Sequence, residues 1–288
     1  MMDRAIVAHI LCKVIQNFHY TKKMTTEIQF TTFFCTFVAM KQAMVFAAGL
    51  GTRLKPLTDT MPKALVRVGD QPLLAHVVLK LKQAGFTRII INVHHFAEQI
   101  IDYLEEHHNF GIDIIVSDER AMLLETGGGI KKAIPYFHPE APILIHNVDI
   151  LSNVDLADFY EHARCVDAML LVSQRKTKRY LMFQKSDMQL CGWTNIETGE
   201  VKGKGLSQAA QANLEETPHL FAFSGIHVLS PRLFPLMGEF PDRFSIIDFY
   251  LRACETNHIK AFLKSDLRLM DVGKLDTLHE AEQFLSTI

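Results

Sequence analysis

Four charged side chains and a glycine pair in this chain have the types and spacing to hold a polyphosphate. Residues 43–65 read AMVFAAGLGTRLKPLTDTMPKAL: a short apolar run, then Ala48, Gly49, Leu50, Gly51, Thr52 and Arg53, then Pro56, Pro62 and Lys63. Glycines admit backbone conformations closed to other residues, so successive N–H groups can curl into an anion-binding nest. Arg53 and Lys63 add two cations beside it, a combination suited to a triphosphate, and the prolines stiffen the loop between them. Asp149 in HNVDI and Asp271 in LMDVGK each follow an apolar run. In an open α/β sheet that places Asp149 in the crevice outside the strand ends. Mg²⁺ prefers one or two carboxylates with phosphate oxygens and water, which this pair can offer. An aspartate before a turn is also a common helix cap, so the metal reading rests on the two carboxylates together with the phosphate loop.

Two better-known phosphate loops fail on spacing. A GxxxxGK[ST] loop needs lysine directly after its second glycine, where Thr52 stands. A dinucleotide fingerprint needs a third glycine at the position of Leu54. The run resembles instead the signature of sugar-1-phosphate nucleotidyltransferases, GxGxRxxPLTxxxPKxL, carried here by Gly49, Gly51, Arg53, Pro56 to Thr58, Pro62, Lys63 and Leu65. Ala64 departs from it, standing where many relatives have a second proline. The likeness runs from about Met40 to the C-terminus. It implies a Rossmann-like nucleotidyltransferase fold, and a reaction in which a nucleoside triphosphate and a sugar 1-phosphate give an NDP-sugar and pyrophosphate. It also implies Mg²⁺ on Asp149 and Asp271, with Arg53 and Lys63 as catalytic cations. Asn147, Tyr180 and Gly225 are the sugar-phosphate candidates. Val148 and Lys274 depart from the family's usual residues beside the two aspartates without touching a carboxylate.

Residues 124–130 read LETGGGI and open a helix. Glycines there let a flat base lie against backbone and leave N–H groups at a helix N-terminus. The resemblance makes Glu125, Thr126, Gly127 and Gly128 nucleotide-binding. LETGGG, FSGI at 223–226 and RF at 243–244 are similar to N-acetylmuramate-1-phosphate uridylyltransferases. That branch implies UTP and N-acetylmuramic acid 1-phosphate as substrates, for cell-wall recycling. The EKP-type sugar motif of thymidylyltransferases is missing and QRKTKRYLMF stands in its place, with basic residues able to meet the lactyl carboxylate. A mannose- or heptose-1-phosphate guanylyltransferase and a phosphocholine cytidylyltransferase are the alternatives on the same fold. A non-catalytic nucleotide-sugar sensor is the alternative of another class, disfavoured because Arg53, Lys63, Asp149 and Asp271 are all present.

The elements that must position these groups alternate strand and helix, the pattern of a mainly parallel mixed sheet with helices on both faces. Strands are expected at 43–47, 88–93, 113–117 and 142–146, and helices at 72–84, 97–107 and 127–137. After Asp149 come a helix near 156–165, strands at 167–173, 181–185, 189–193 and 221–229, and a polar surface excursion over 195–218. Helix, strand, strand and helix at 245–254, 259–263, 267–272 and 275–285 close the chain. Residues 40–288 read as one domain, with the nucleotide in its first half and the sugar phosphate in its second.

Bulk properties narrow the partners. Of 288 residues, 48% are hydrophobic and 22% charged, ordinary for a chain that buries a full core. The net charge of −2 gives no global attraction to nucleic acid. Five cysteines without CxxC pairing fit a reducing cytoplasm. His94, His95, His107 and His108 read as solvated surface rather than a metal site. The apolar runs at 5–15 and 28–40 are too short to span a bilayer, so residues 1–39 are expected to be an upstream start or a poorly ordered tail. A membrane anchor is the lesser alternative, and the composition is silent on oligomeric state.

Overall fold

Period-two alternation in short apolar strands builds a sheet with two buried faces. In β1 (Lys41–Phe46) Ala43 and Val45 face one core, and Met44 faces the other. The strands of the first half, β2 (Phe86–Val93), β3 (Asp113–Asp118) and β4 (Ile143–Asn147), pair in parallel in the order β3-β2-β1-β4. Near-continuous Ile, Val and Leu suit strands covered on both sides. The computed structural model describes residues 40–203 and 217–288, and Lys41–Ile288 forms one unit. The extension expected at 1–39 lies outside the described residues.

The second half turns antiparallel. β5 (Ile150–Ser152) follows β4 after a two-residue turn holding Val148 and Asp149. β6 (Ala168–Ser173), β7 (Arg179–Phe183), β8 (Leu190–Asn195) and β9 (Glu200–Lys202) lead to the long β10 (His219–Leu229). β10 pairs antiparallel with β4, β6 and β7, joining the two halves. β11 (Ile259–Leu263) runs parallel to β6, and β12 (Leu269–Asp271) pairs antiparallel with β5. The result is a mixed sheet whose parallel part is the nucleotide half.

Helices cover both faces. α1 (Leu73–Gln83) buries Leu73, Leu74, Val77, Val78 and Leu81, a helical stripe against β1 and β2. α2 (Ala97–Glu106) buries Ala97, Ile100 and Leu104 on the same face. α3 (Glu125–Ala133) packs Ile130 and Ala133 into the opposite core. α4 (Leu156–His162) is N-capped by Asp155, whose side chain accepts from the N–H groups of Ala157 and Asp158. α5 (Ile246–Ala253) starts at Ser245 and buries Ile246, Phe249 and Tyr250 beside α3. α6 (Thr277–Leu285) closes the chain. Each fully buried Leu, Ile or Phe stabilises the fold by roughly 1.5–3 kcal/mol.

Several boundaries differ from the sequence expectation. α3 begins two residues before Gly127 and yields to a 3-10 turn at Ile134–Tyr136, because Pro135 has no N–H to continue the ladder. The helix expected over 156–165 likewise ends in a 3-10 turn, Ala163–Cys165. β10 starts earlier than 221. The polar excursion contributes β9 before residues 204–216, which lie outside the described set.

Candidate active site

The C-terminal end of β1 enters the glycine loop at the point where strand-end ligand sites form in open α/β sheets. A cavity of about 470 Å³ opens there, lined by Ala48, Gly49, Leu50, Gly51, Thr52, Arg53, Lys63, Glu125, Thr126, Asn147 and Asp149 among others. Gly51 has φ +63°, and a Cβ there would come 2.8 Å from Thr58 Cγ2 and 3.0 Å from Lys63 Cβ. The Thr58 hydroxyl donates to the Gly51 carbonyl at 2.9 Å, and the Leu54 N–H donates to it at 2.8 Å. The loop is therefore folded on itself, bringing Lys63 beneath it. Gly49 has open space where a side chain would stand, leaving room for a ligand.

Lys63 is nearly buried and its ammonium donates to Asp149 Oδ2. Asp149 is held from behind by the Val272 N–H, which donates to its backbone carbonyl at 2.9 Å. The β5–β12 register, with Asp271 opposite Ile150, then sets the second aspartate beside the first. Neither aspartate caps a helix; the caps of the neighbouring helices are Asp155 and Asp276. Crowding by protein atoms on its inner side, then the Asp149 charge, raise the Asp271 carboxyl above the usual carboxylate range against the opposing pull of Lys63, Arg53 and Arg175. A Cβ on Gly273 would come 2.8 Å from Asp271 Oδ1 and 2.9 Å from Arg53 Nη2, so that glycine gives carboxylate and guanidinium their places. Two like-charged oxygen donors side by side fit a divalent cation completed by phosphate oxygens. Among the described residues no cluster of three or more His, Cys, Asp or Glu could cage a metal.

The structure assigns the LETGGG glycines a different task from the one expected. The Gly127 and Gly128 N–H groups donate to the Phe244 carbonyl at 2.9 and 3.3 Å. A Cβ at Gly127 would overlap the Phe244 ring at 2.3 Å, and one at Gly128 would lie 2.0 Å from the Asp242 carbonyl oxygen. These glycines let the 242–246 segment seat on α3 and do not line the cavity. Arg243 Nε donates to Glu125 Oε1 at 3.0 Å, and the Ile246 N–H donates to Thr126 Oγ1 at 3.0 Å. From this segment, Leu123, Glu125 and Thr126 line the cavity.

Of the sugar-phosphate candidates, Asn147 lines the cavity. Gly225, with φ +80°, serves it indirectly: a Cβ would fall 2.6 Å from Asn147 Nδ2. Tyr180 is outside the cavity lining, and its hydroxyl accepts from the Thr177 N–H at 3.1 Å. His94 Nδ1 and His107 Nδ1 lie at 2.7 and 2.8 Å from the backbone carbonyls of Glu119 and Tyr103.

Sequence reasoning missed Asn92 and Glu119, both buried in the cavity wall. Asn92 Oδ1 accepts from the Ala47 N–H at 2.8 Å, and its Nδ2 donates to Glu119 Oε1 at 2.8 Å. Glu119 Oε2 accepts from the Leu124 N–H at 3.3 Å. This relay ties the start of the glycine loop to the start of α3. The available signal was a lone polar residue, Asn92, near the end of an otherwise apolar strand. Glu119→Gln places an amide NH₂ against Asn92 Nδ2 or the Leu124 N–H, and is expected to cost about 1–3 kcal/mol in denaturant unfolding. Burial raises the Glu119 carboxyl above its ordinary range against the pull of these hydrogen bonds. Its folded form holds the proton more tightly than the unfolded form, so its contribution is greatest at low pH. That contribution is lost as pH rises through the elevated value, and Glu119→Gln should lack the decline.

A family model described as Nucleotidyl transferase matches residues 42–183. The chain is 34% identical over 220 residues to N-acetylmuramate alpha-1-phosphate uridylyltransferase of Caulobacter vibrioides, covering 74% of this chain and 84% of that one. It is 43% identical over 122 residues to the protein of the same name from Neisseria meningitidis, covering 42% of this chain and 52% of that one. Among solved structures, HddC from Yersinia pseudotuberculosis complexed with GMP-PN aligns with TM-score 0.65 at 23% identity, covering 85% of this chain and 100% of that chain. This last likeness concerns the fold alone.

Proposed function

The chain belongs to the nucleotidyl transferase family, and we propose that it transfers the uridylyl group of UTP to N-acetylmuramic acid 1-phosphate, releasing pyrophosphate. The observation that carries the reaction is the Lys63–Asp149 pair, seated between the glycine loop and the Asp271–Gly273–Arg53 group. The substrate choice is supported by similarity to two N-acetylmuramate alpha-1-phosphate uridylyltransferases. Placement in a reducing cytoplasm belongs to the same proposal; Cys165, Cys191 and Cys254 are free thiols, and no described helix is long and apolar enough to cross a membrane.

The acceptor's phosphate attacks the α-phosphorus in line with the departing pyrophosphate. A phosphomonoester has a second pKa of about 6 and is already anionic near neutral pH, so the site needs no general base. Its task is to bring two anions together, by positioning and by charge stabilisation. The glycine loop cradles the triphosphate, Arg53 stabilises the departing pyrophosphate, and Lys63 faces the α-phosphate region. Asp149 and Asp271 would hold Mg²⁺, which supplies Lewis-acid stabilisation of phosphoryl charge. Asn147, braced by Gly225, faces the acceptor side. Leu123, Glu125 and Thr126 present the edge that selects the base, and a site built around specific hydrogen bonds rejects wrong partners more strongly than apolar shape does.

A matrix of the four ribonucleoside triphosphates against a set of sugar 1-phosphates, read by pyrophosphate release with Mg²⁺ present, tests this reading. UTP with N-acetylmuramic acid 1-phosphate should give the highest kcat/KM. Higher kcat/KM with GTP and mannose 1-phosphate would overturn the substrate assignment and leave nucleotidyl transfer standing.

A further inference from the structure

β5 and β12 place both aspartates, yet this ribbon stands apart from the main sheet. Among the described residues the two strands pair only with each other, from Ser152–Leu269 to Ile150–Asp271. Asp149 directly precedes the ribbon, Asp271 ends it, and the Val272 N–H closes it on the Asp149 carbonyl. A two-stranded ribbon is marginally stable by itself and depends on what it packs against. Ile150, Leu151, Leu269 and Met270 join the core that α1 covers, but apolar burial is non-directional. A directional contact is needed to fix where the ribbon stands.

Lys80 supplies one. Its ammonium donates to the Ser152 carbonyl, at the end of β5, and lies 3.3 Å from Ser152 Oγ. Lys80 stands on α1 beside the buried Val77, Val78 and Leu81, and Ser152 is itself buried. Burial lowers the Lys80 pKa to about 8 against the opposing charge of Asp155, so most molecules keep the ammonium at neutral pH. A charged donor makes this bond stronger than a neutral one. The start of α1 is tied to the opposite wall of the crevice. The Leu73 N–H donates to the Val66 carbonyl at 3.0 Å, and Val66 directly follows the 3-10 turn Lys63–Leu65. His76 Nε2 lies 2.9 Å from the Val68 carbonyl. One helix therefore holds the arm that carries Lys63 and, through Lys80, the ribbon that sets Asp149 and Asp271. The Lys63–Asp149 pair closes this frame at the crevice.

We propose that Lys80 is a positioning residue for the aspartate pair, pinning the β5–β12 ribbon to α1 through the Ser152 carbonyl. This rests on the reading of Asp149 and Asp271 as the carboxylates of nucleotidyl transfer, and it gives a helix residue outside the cavity a part in turnover. Groups that act on a reacting phosphate must be held closely. A displacement of about 1 Å, caused by a substitution far from the chemistry, can cost about a hundred-fold in rate.

The test compares Lys80→Met, Lys80→Arg and Lys82→Met with the wild type in two measurements. One is steady-state kinetics on the sugar 1-phosphate that the wild type uses best, and the other is amide hydrogen exchange of the free protein. Methionine keeps a flexible apolar stem and removes the donor. In Lys80→Met kcat should fall about ten- to a hundred-fold, with KM for UTP within about two-fold because the glycine loop does not hang from the ribbon. Exchange at 150–153 and 269–272 should quicken about ten-fold or more while β1 and β2 stay protected. Lys80→Arg keeps a charged donor and should recover part of both losses. The Lys82 ammonium donates to the Phe110 carbonyl at 2.6 Å, away from the ribbon, so Lys82→Met should match the wild type. Wild-type kcat or wild-type ribbon exchange in Lys80→Met overturns the proposal, as does an equal loss in Lys82→Met or no recovery in Lys80→Arg. Exchange quickened throughout α1, β1 and β2 would make the loss one of folding and overturns it too. A wild type inactive on every sugar 1-phosphate refutes the transferase reading, and ribbon exchange then still decides whether Lys80 is the anchor.

Discussion

Asp149→Asn is expected to lower turnover by about three orders of magnitude or more. Removing one preorganised electrostatic contact commonly costs a hundred- to a thousand-fold in kcat, and this carboxylate serves two partners. It accepts the Lys63 ammonium and stands beside Asp271 in the pair suited to a divalent cation. Asparagine keeps the shape and removes the charge, so Lys63 loses its counter-ion in a nearly buried position. Breaking a buried pair from one side can cost about 3–5 kcal/mol of stability. The larger exposure of the Asp149 side chain, 20% against 10% for Lys63, argues for the lower end. The measurement is therefore kcat at saturating Mg²⁺, at a temperature where circular dichroism shows the variant folded. Near wild-type turnover in that folded variant would remove Asp149 from the chemistry.

Gly128→Ala should destabilise the domain although it improves helix propensity. Gly128 lies inside α3 without a positive φ, where alanine is intrinsically better by about 1 kcal/mol. The added methyl would sit 2.0 Å from the Asp242 carbonyl oxygen, a backbone atom that cannot rotate aside. Overpacking costs typically about 1–3 kcal/mol, occasionally more, and a backbone obstacle places this change at the upper end. Displacing the 242–246 segment would also disturb the Arg243–Glu125 and Ile246–Thr126 contacts that border the cavity. A thermal melt should therefore fall, and KM for the triphosphate should rise. Gly238→Ala is the control, since nothing lies within 4 Å of its would-be Cβ. A Gly128→Ala variant as stable as the wild type would show that 242–246 does not bear on α3 as described.

The glycine loop was legible because its geometry is local. Gly51 needs its left-handed backbone within the loop it serves, and Arg53 and Lys63 are placed by the same twenty-odd residues. The alternation of strands and helices was legible for a similar reason: branched apolar runs and helical stripes declare their burial within a few residues. Glu119, Asn92 and Gly273 were not legible as parts of the site. Their roles depend on atoms far along the chain, such as the Asn92–Glu119 bond between adjacent strand ends.

The glycines of LETGGG show where local reasoning misleads. Their composition suggested open backbone for a base, yet the structure fills that space with Phe244 and the Asp242 carbonyl, more than a hundred residues later. Gly225 was placed with the sugar phosphate, and its own contact is with Asn147. By itself, then, the sequence determined the glycine loop, the two aspartates at strand ends and the alternating layers, because each depends on short-range conformational and burial preferences. The tertiary structure alone decided which glycines border open space and which face a neighbour, which cations are already paired, and how Asp271 meets Asp149. Those outcomes are fixed by strand register and long-range packing, which bring together residues that no local spacing connects.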